Sequence, residues 1–83
     1  MKILYFAWLR SKVGQSEETI SLPDDVTTLY QLITWLKTRG PAYEEIFTDL
    51  NVVRVAIDQE HITGDTTLEG ASEVAFFPPV TGG

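Results

Sequence analysis

Cysteine is absent from this chain. That removes thiol nucleophiles, side-chain persulfides, thiolate metal sites and disulfide staples, so the fold has to rest on its own apolar core in a reducing compartment. Histidine occurs once, at His61, and a single imidazole without thiolates does not make a protein-only zinc site. Positive charge is scarce: six Lys and Arg face twelve Asp and Glu, giving a net charge of −6. This is the wrong sign for a phosphate backbone, so no nucleic-acid partner is expected, whereas an electropositive protein partner fits. No apolar run is long enough for a transmembrane helix, and the opening segment meets charged residues too early for a signal peptide. The expectation is a cytoplasmic protein with no membrane partner. Also missing are paired carboxylates at acid–base spacing, a glycine-rich phosphate loop and a nucleophile–histidine pairing. The isolated chain is therefore expected to catalyse nothing and to bind no cofactor or metal.

What is present is one domain of 83 residues, near the lower size for a self-sufficient core. Lys2 to Leu9 alternates, with Ile3, Tyr5 and Ala7 against Lys2, Leu4, Phe6 and Trp8; bulk on both sides predicts an interior strand. Arg10 to Gly14 reads as a polar loop, and Glu17 to Leu22 as a second strand stopped by Pro23. Thr28 and Gln31 fit a capping box ahead of an apolar stripe of Leu29, Leu32, Ile33 and Leu36. The spacing predicts a helix from about Thr28 to Arg39, with Gly40 at the position after the C-cap and Pro41 blocking continuation. Ala42 to Phe47 suits a short helical turn presenting Ile46 and Phe47 to the core. Val53 to Ile57 alternates, Asp58-Gln59 suits a tight hairpin turn into Glu60 to Thr63, Gly64-Asp65 turns again, and Leu68 plugs the core. After a turn over residues 69–72, Glu73 to Phe77 is the last strand. Two strands, a helix and further strands give an α+β chain: a mixed sheet packed on one main helix, the ubiquitin-like β-grasp architecture.

The C-terminal residues carry the chemistry. Pro78 and Pro79 end the last strand because neither donates to a sheet ladder, and paired prolines favour an extended, stiff path. From Pro78 to Gly83 such a tail reaches ~18–20 Å at the rise of an extended chain. It ends in Gly82 and Gly83, which carry no side chains. The division expected is a domain over 1–77 and an extended tail over 78–83, shaped to enter a narrow channel and present a carboxylate.

The run Glu73-Val74-Ala75-Phe76-Phe77-Pro78-Pro79-Val80-Thr81-Gly82-Gly83, with Ile3-Leu4-Tyr5-Phe6-Ala7, Arg10 and Val13-Gly14 at the other end, resembles the small, sulfur-carrying subunits of molybdopterin synthase over nearly the whole chain. Gly70-Ala71-Ser72 departs from that family, which more often has Asp-Gly-Asp there. The resemblance implies that the Gly83 carboxylate is adenylated by an ATP-dependent adenylyltransferase similar to ubiquitin-activating enzymes. A sulfur donor protein then converts it to a thiocarboxylate. The tail residues Pro78, Pro79, Val80, Thr81, Gly82 and Gly83 would insert into the large subunit of molybdopterin synthase and deliver sulfur to a cyclic pyranopterin precursor, forming the dithiolene. ATP is then a substrate of the activating enzyme rather than a cofactor of this chain. Two other readings share the fold and the Gly-Gly end: a carrier for thiamine or tRNA thiolation, and a ubiquitin-like protein modifier. The Phe-Phe-Pro-Pro-Val-Thr segment favours the first.

Away from the tail, Phe77 alternates with Val74 and Phe76 and is expected on the opposite sheet face, as an aromatic for docking partners. Phe6 lies on the outward side of the first strand and can join it. The resemblance puts His61 where that family has a hydrophobic contact residue. Trp8 and Trp35 read as packing residues. Arg10 reads as a partner for a carboxylate of its own fold.

Overall fold

The computed structural model describes residues 1–79. Its elements are β1 (Lys2–Tyr5), α1 (Ala7–Val13), β2 (Glu17–Thr19), α2 (Leu29–Lys37), α3 (Pro41–Ile46), a 3-10 turn (Leu50–Val52), β3 (Arg54–Ile57), β4 (Glu60–Ile62) and β5 (Glu73–Phe77). The strands form one sheet in the order β2-β1-β5-β3-β4. β1 runs parallel to β5, and the other pairs are antiparallel. This is the mixed α+β sheet expected from the pattern, with β1 and β5 in its interior. Among the described residues, no helix is long and apolar enough to cross a membrane.

The first strand is shorter than its alternation suggested. It ends at Tyr5, and Ala7 to Val13 is a helix where a strand end and a loop were expected. Phe6 stays extended, its N–H donating to the Phe76 carbonyl at 3.1 Å; Ala7 then takes φ 55° and turns the chain. The helix buries Leu9, and Gly14 ends it at φ 83°, donating to the Arg10 carbonyl. β2 likewise ends at Thr19, opposite Lys2; beyond it the terminal Met1 and Ile20 exchange two hydrogen bonds, the Ile20 N–H donating to the Met1 carbonyl at 2.9 Å and the Met1 ammonium to the Ile20 carbonyl at 3.1 Å.

α2 starts as the capping box requires. The Thr28 hydroxyl accepts from the Gln31 N–H, and the Gln31 carboxamide oxygen accepts from the Thr28 N–H. The next two amides find distant acceptors: Leu29 donates to the Thr66 carbonyl and Tyr30 to the Asp65 carboxylate. The helix stops at Lys37 with Thr38 as its cap, so Gly40 does not close it. Gly40, at φ 154°, instead caps the start of α3, where Pro41 fits the first turn because its missing N–H has no intrahelical partner to lose.

The Asp58-Gln59 hairpin turn forms with both residues at positive φ, 49° and 70°, as a two-residue turn matched to strand twist requires. The Asp58 carboxylate also accepts from the amides of Ser72 and Glu73 at 3.0 Å. This ties the hairpin to the start of β5 and holds the end of the Gly70-Ala71-Ser72 turn. The core lies between the helices and one sheet face. Ile3, Tyr5, Val74, Phe76 and Val55 meet Leu29, Leu32, Ile33, Leu36, Ile46 and Phe47 there, with Leu68 closing one end. Phe76 sits at its centre, edge-on to Phe47 at 4.9 Å and stacked on Tyr5 at 6.1 Å.

Candidate functional site

The opposite sheet face carries no helix. Strand alternation turns every second residue of β1, β3 and β5 towards it, and the register sets them in rows. Leu4 of β1 stands beside Ala75 of β5, Ala75 beside Ala56 of β3, and Ala56 beside His61 of β4. The next row pairs Phe77 with Arg54, and Phe6 lies on the other side of Phe77, its N–H bonded to the Phe76 carbonyl. Two alanines in the middle leave a floor with aromatic walls. The result is a shallow hollow of ≈560 Å³ lined by Leu4, Phe6, Ala56, Ala75, Phe77 and Pro78, among others. Small side chains at the centre keep the backbone close to the surface, so an approaching partner meets a flat apolar area.

The structure therefore brings together the three partner residues named from sequence. Phe77 is on the face opposite Val74 and Phe76, as the alternation required. Its exposure is intermediate because the His61 ring lies edge-on to it, centroids 5.3 Å apart. Phe6 is 46% exposed although large and apolar. Pro78 lines the same hollow, so the chain leaves the sheet along this face. Pro78 and Pro79 belong to no helix or strand and are half-buried; Val80, Thr81, Gly82 and Gly83 lie outside the described residues. Two expectations fail. Trp8 is 38% exposed rather than packed, because α1 turns Leu9 inward in its place. Arg10 makes no ion pair among the described residues, since α1 directs Lys12, not Arg10, to a carboxylate of α3. Trp35, by contrast, packs against the core.

Sequence reasoning missed Leu4, Ala56, Ala75 and Arg54, all of which the period of two in β1, β3 and β5 assigns to this face. It also missed a polar cluster on the helix side of the sheet. Glu18, its side chain 9% exposed, receives hydrogen bonds from Arg39 at 2.6 Å, from the Tyr5 hydroxyl at 2.8 Å and from the Tyr43 hydroxyl at 3.2 Å. The Arg39 guanidinium lies over the rings of Tyr43 and Trp35, at 5.1 and 5.4 Å. Burial pushes the Glu18 carboxyl up, but the bonds from Arg39 and Tyr5, the Arg39 charge and the Tyr43 bond together hold it below the usual carboxylate value. Burial and the neighbouring Glu18 charge raise the Tyr5 phenol well above its ordinary value. Both Glu18 oxygens and both phenol hydroxyls are bonded within the cluster, which fastens β2 to β1, to the end of α2 and to α3.

The chain matches the family model described as the ThiS family over residues 3–83. It is 38% identical over 84 residues to the molybdopterin synthase sulfur carrier subunit of Dictyostelium discoideum, covering 99% of this chain and 94% of that protein. It is 34% identical over 86 residues to the human molybdopterin synthase sulfur carrier subunit, covering 100% and 93%. Among solved structures it is similar to SAMP1 from Haloferax volcanii, with a TM-score of 0.76, 25% identity, and coverage of 100% of this chain and 98% of that one.

Proposed function

The chain belongs to the ThiS family, among the molybdopterin synthase sulfur carrier subunits of molybdenum cofactor biosynthesis, and from that premise we propose that it carries its sulfur as a thiocarboxylate on Gly83. The observation that supports this is the coincidence of the apolar hollow with the chain's exit: Phe6, Phe77 and Pro78 line one surface, and the tail sequence follows directly from it. A partner that grips the hollow is thereby placed to receive the tail.

As a subunit of the synthase, the chain associates with a large subunit. In the reading proposed here, Phe77 and Phe6 dock against that subunit with His61 at the rim, and Pro78 to Gly83 enter its active site. A carboxylate is a poor electrophile, so Gly83 is first activated by an adenylyltransferase that consumes ATP and releases pyrophosphate. A sulfur donor protein then displaces AMP. The resulting thiocarboxylate is nucleophilic at neutral pH without a neighbouring base, which suits a chain with no cysteine. The general acids and bases that assist transfer to the pyranopterin come from the large subunit, and two loaded chains are used per dithiolene. Gly82 and Gly83 matter because a channel sized for backbone excludes a Cβ branch. The domain boundary after Phe77 and a cytoplasmic setting belong to the same reading.

Deleting Gly83, or replacing Gly82 with a bulky residue, should abolish molybdopterin formation in a reconstituted synthase while the thermal unfolding curve stays unchanged. Full activity of the Gly83 deletion would overturn the reading.

A further inference from the structure

The cations of this chain divide into two groups. Lys2, Lys12 and Arg39 are each engaged by a glutamate, at 3.6, 3.1 and 2.6 Å. Arg10, Lys37 and Arg54 make no ion pair among the described residues; Arg10 and Lys37 are on helices, and of the three only Arg54 is on a strand. It is exposed, it stands directly opposite Phe77 in the β3–β5 register, and it shares the outer face with Ala56 and Ala75. On a chain of net charge −6, whose docking hollow has Glu73 as its charged lining residue, Arg54 puts a positive point beside Phe77, just outside that lining. The residue there is arginine, whose methylenes can lie along an apolar floor while its planar fork stays free to grip a carboxylate with two parallel hydrogen bonds.

Building on the docking role of the Phe77 face, we propose that Arg54 is a specificity-determining contact: the large-subunit surface that covers Phe77 carries a carboxylate that pairs with Arg54. Charge complementarity is the ground for this. A partner face with a basic group at that point would set like charges together as it desolvates the hollow, whereas a carboxylate would pair with the fork and fix the rotation of one protein on the other. The apolar contacts around Phe77 are directionless; the Arg54 pair gives them a register. That register aims the tail, because Phe77 is followed immediately by Pro78.

The test is binding of the full-length chain to the purified large subunit by calorimetry at two salt concentrations, with Arg54→Glu, Arg54→Gln and Phe77→Ala compared with wild type. Arg54 is exposed, so neither of its variants should alter the unfolding curve. Arg54→Glu is expected to weaken binding by about tenfold or more, Arg54→Gln by less, and both should flatten the salt dependence. If Phe77→Ala weakens binding while Arg54→Glu stays within twofold of wild type, the Arg54 contact is refuted and the docking face stands. If Phe77→Ala also binds as wild type does, the docking face itself is wrong and the Arg54 contact falls with it.

Discussion

Replacing Glu18 by alanine removes one carboxylate and strands three donors, and the structure sets the size of the effect. Tyr5 is 1% exposed and its hydroxyl donates to Glu18 at 2.8 Å, so the hydroxyl is left without an acceptor, at about 1–3 kcal/mol. The Arg39 bond is charge-assisted but its side chain is 31% exposed, so water recovers much of that interaction and about 1 kcal/mol is counted. Tyr43 still receives a bond from Gln15 at 2.9 Å and reaches solvent, so it adds little. Together these give ~3 kcal/mol, which for a domain of this size is a drop in Tm of roughly 12–24 °C. Urea unfolding followed by circular dichroism measures it directly, with an unchanged m-value showing that only stability moved. The pH dependence is a second, independent readout. Glu18 titrates lower in the folded chain than its ordinary 4.5, so its contribution is complete above that value and is lost as pH falls through the folded-state pKa. The gap between wild type and Glu18→Gln should therefore narrow as pH falls below about 4.5. A loss under 0.5 kcal/mol for Glu18→Ala, or a wild-type-to-Gln gap that does not change with pH, would refute the account of this cluster as a buried charged fastening.

Two further perturbations probe local structure. Thr28→Ala removes the hydroxyl that accepts from Gln31 and should lower stability by about 1 kcal/mol, read from the shift in urea midpoint. Gln59→Gly relieves a non-glycine residue at φ 70° and should raise stability by roughly 0.5–1 kcal/mol without moving the m-value.

Sequence and structure agree where a local rule sets the outcome. The Thr28–Gln31 box, the Leu29-Leu32-Ile33-Leu36 stripe and the Asp58-Gln59 turn are each decided within a few residues, and each was legible. The alternation along β5 likewise put Phe77 on the outer face. Misreadings arise where two periods compete. Ala7, Trp8 and Leu9 continue the alternation of β1, yet Leu9 and Val13 also stand four apart with Gly14 behind them, and burial of Leu9 decides for the helix. Glu18 could not be read at all, because its partners lie 13, 21 and 25 residues away and only the fold assembles them. Arg54 was equally silent: its position on the outer face is local, but its standing opposite Phe77 depends on a register between strands distant in sequence.

The central claim is that Gly83 carries the sulfur, and intact-mass analysis tests it most directly. The chain is incubated with ATP, its activating enzyme and a sulfur donor, then fragmented to place any change. The expected result is a gain of about 16 Da, the generic difference when sulfur replaces oxygen, confined to Gly83 and lost on addition of the large subunit and pyranopterin precursor. No gain at Gly83, or a Gly83 isopeptide remnant on other proteins in its place, would contradict it.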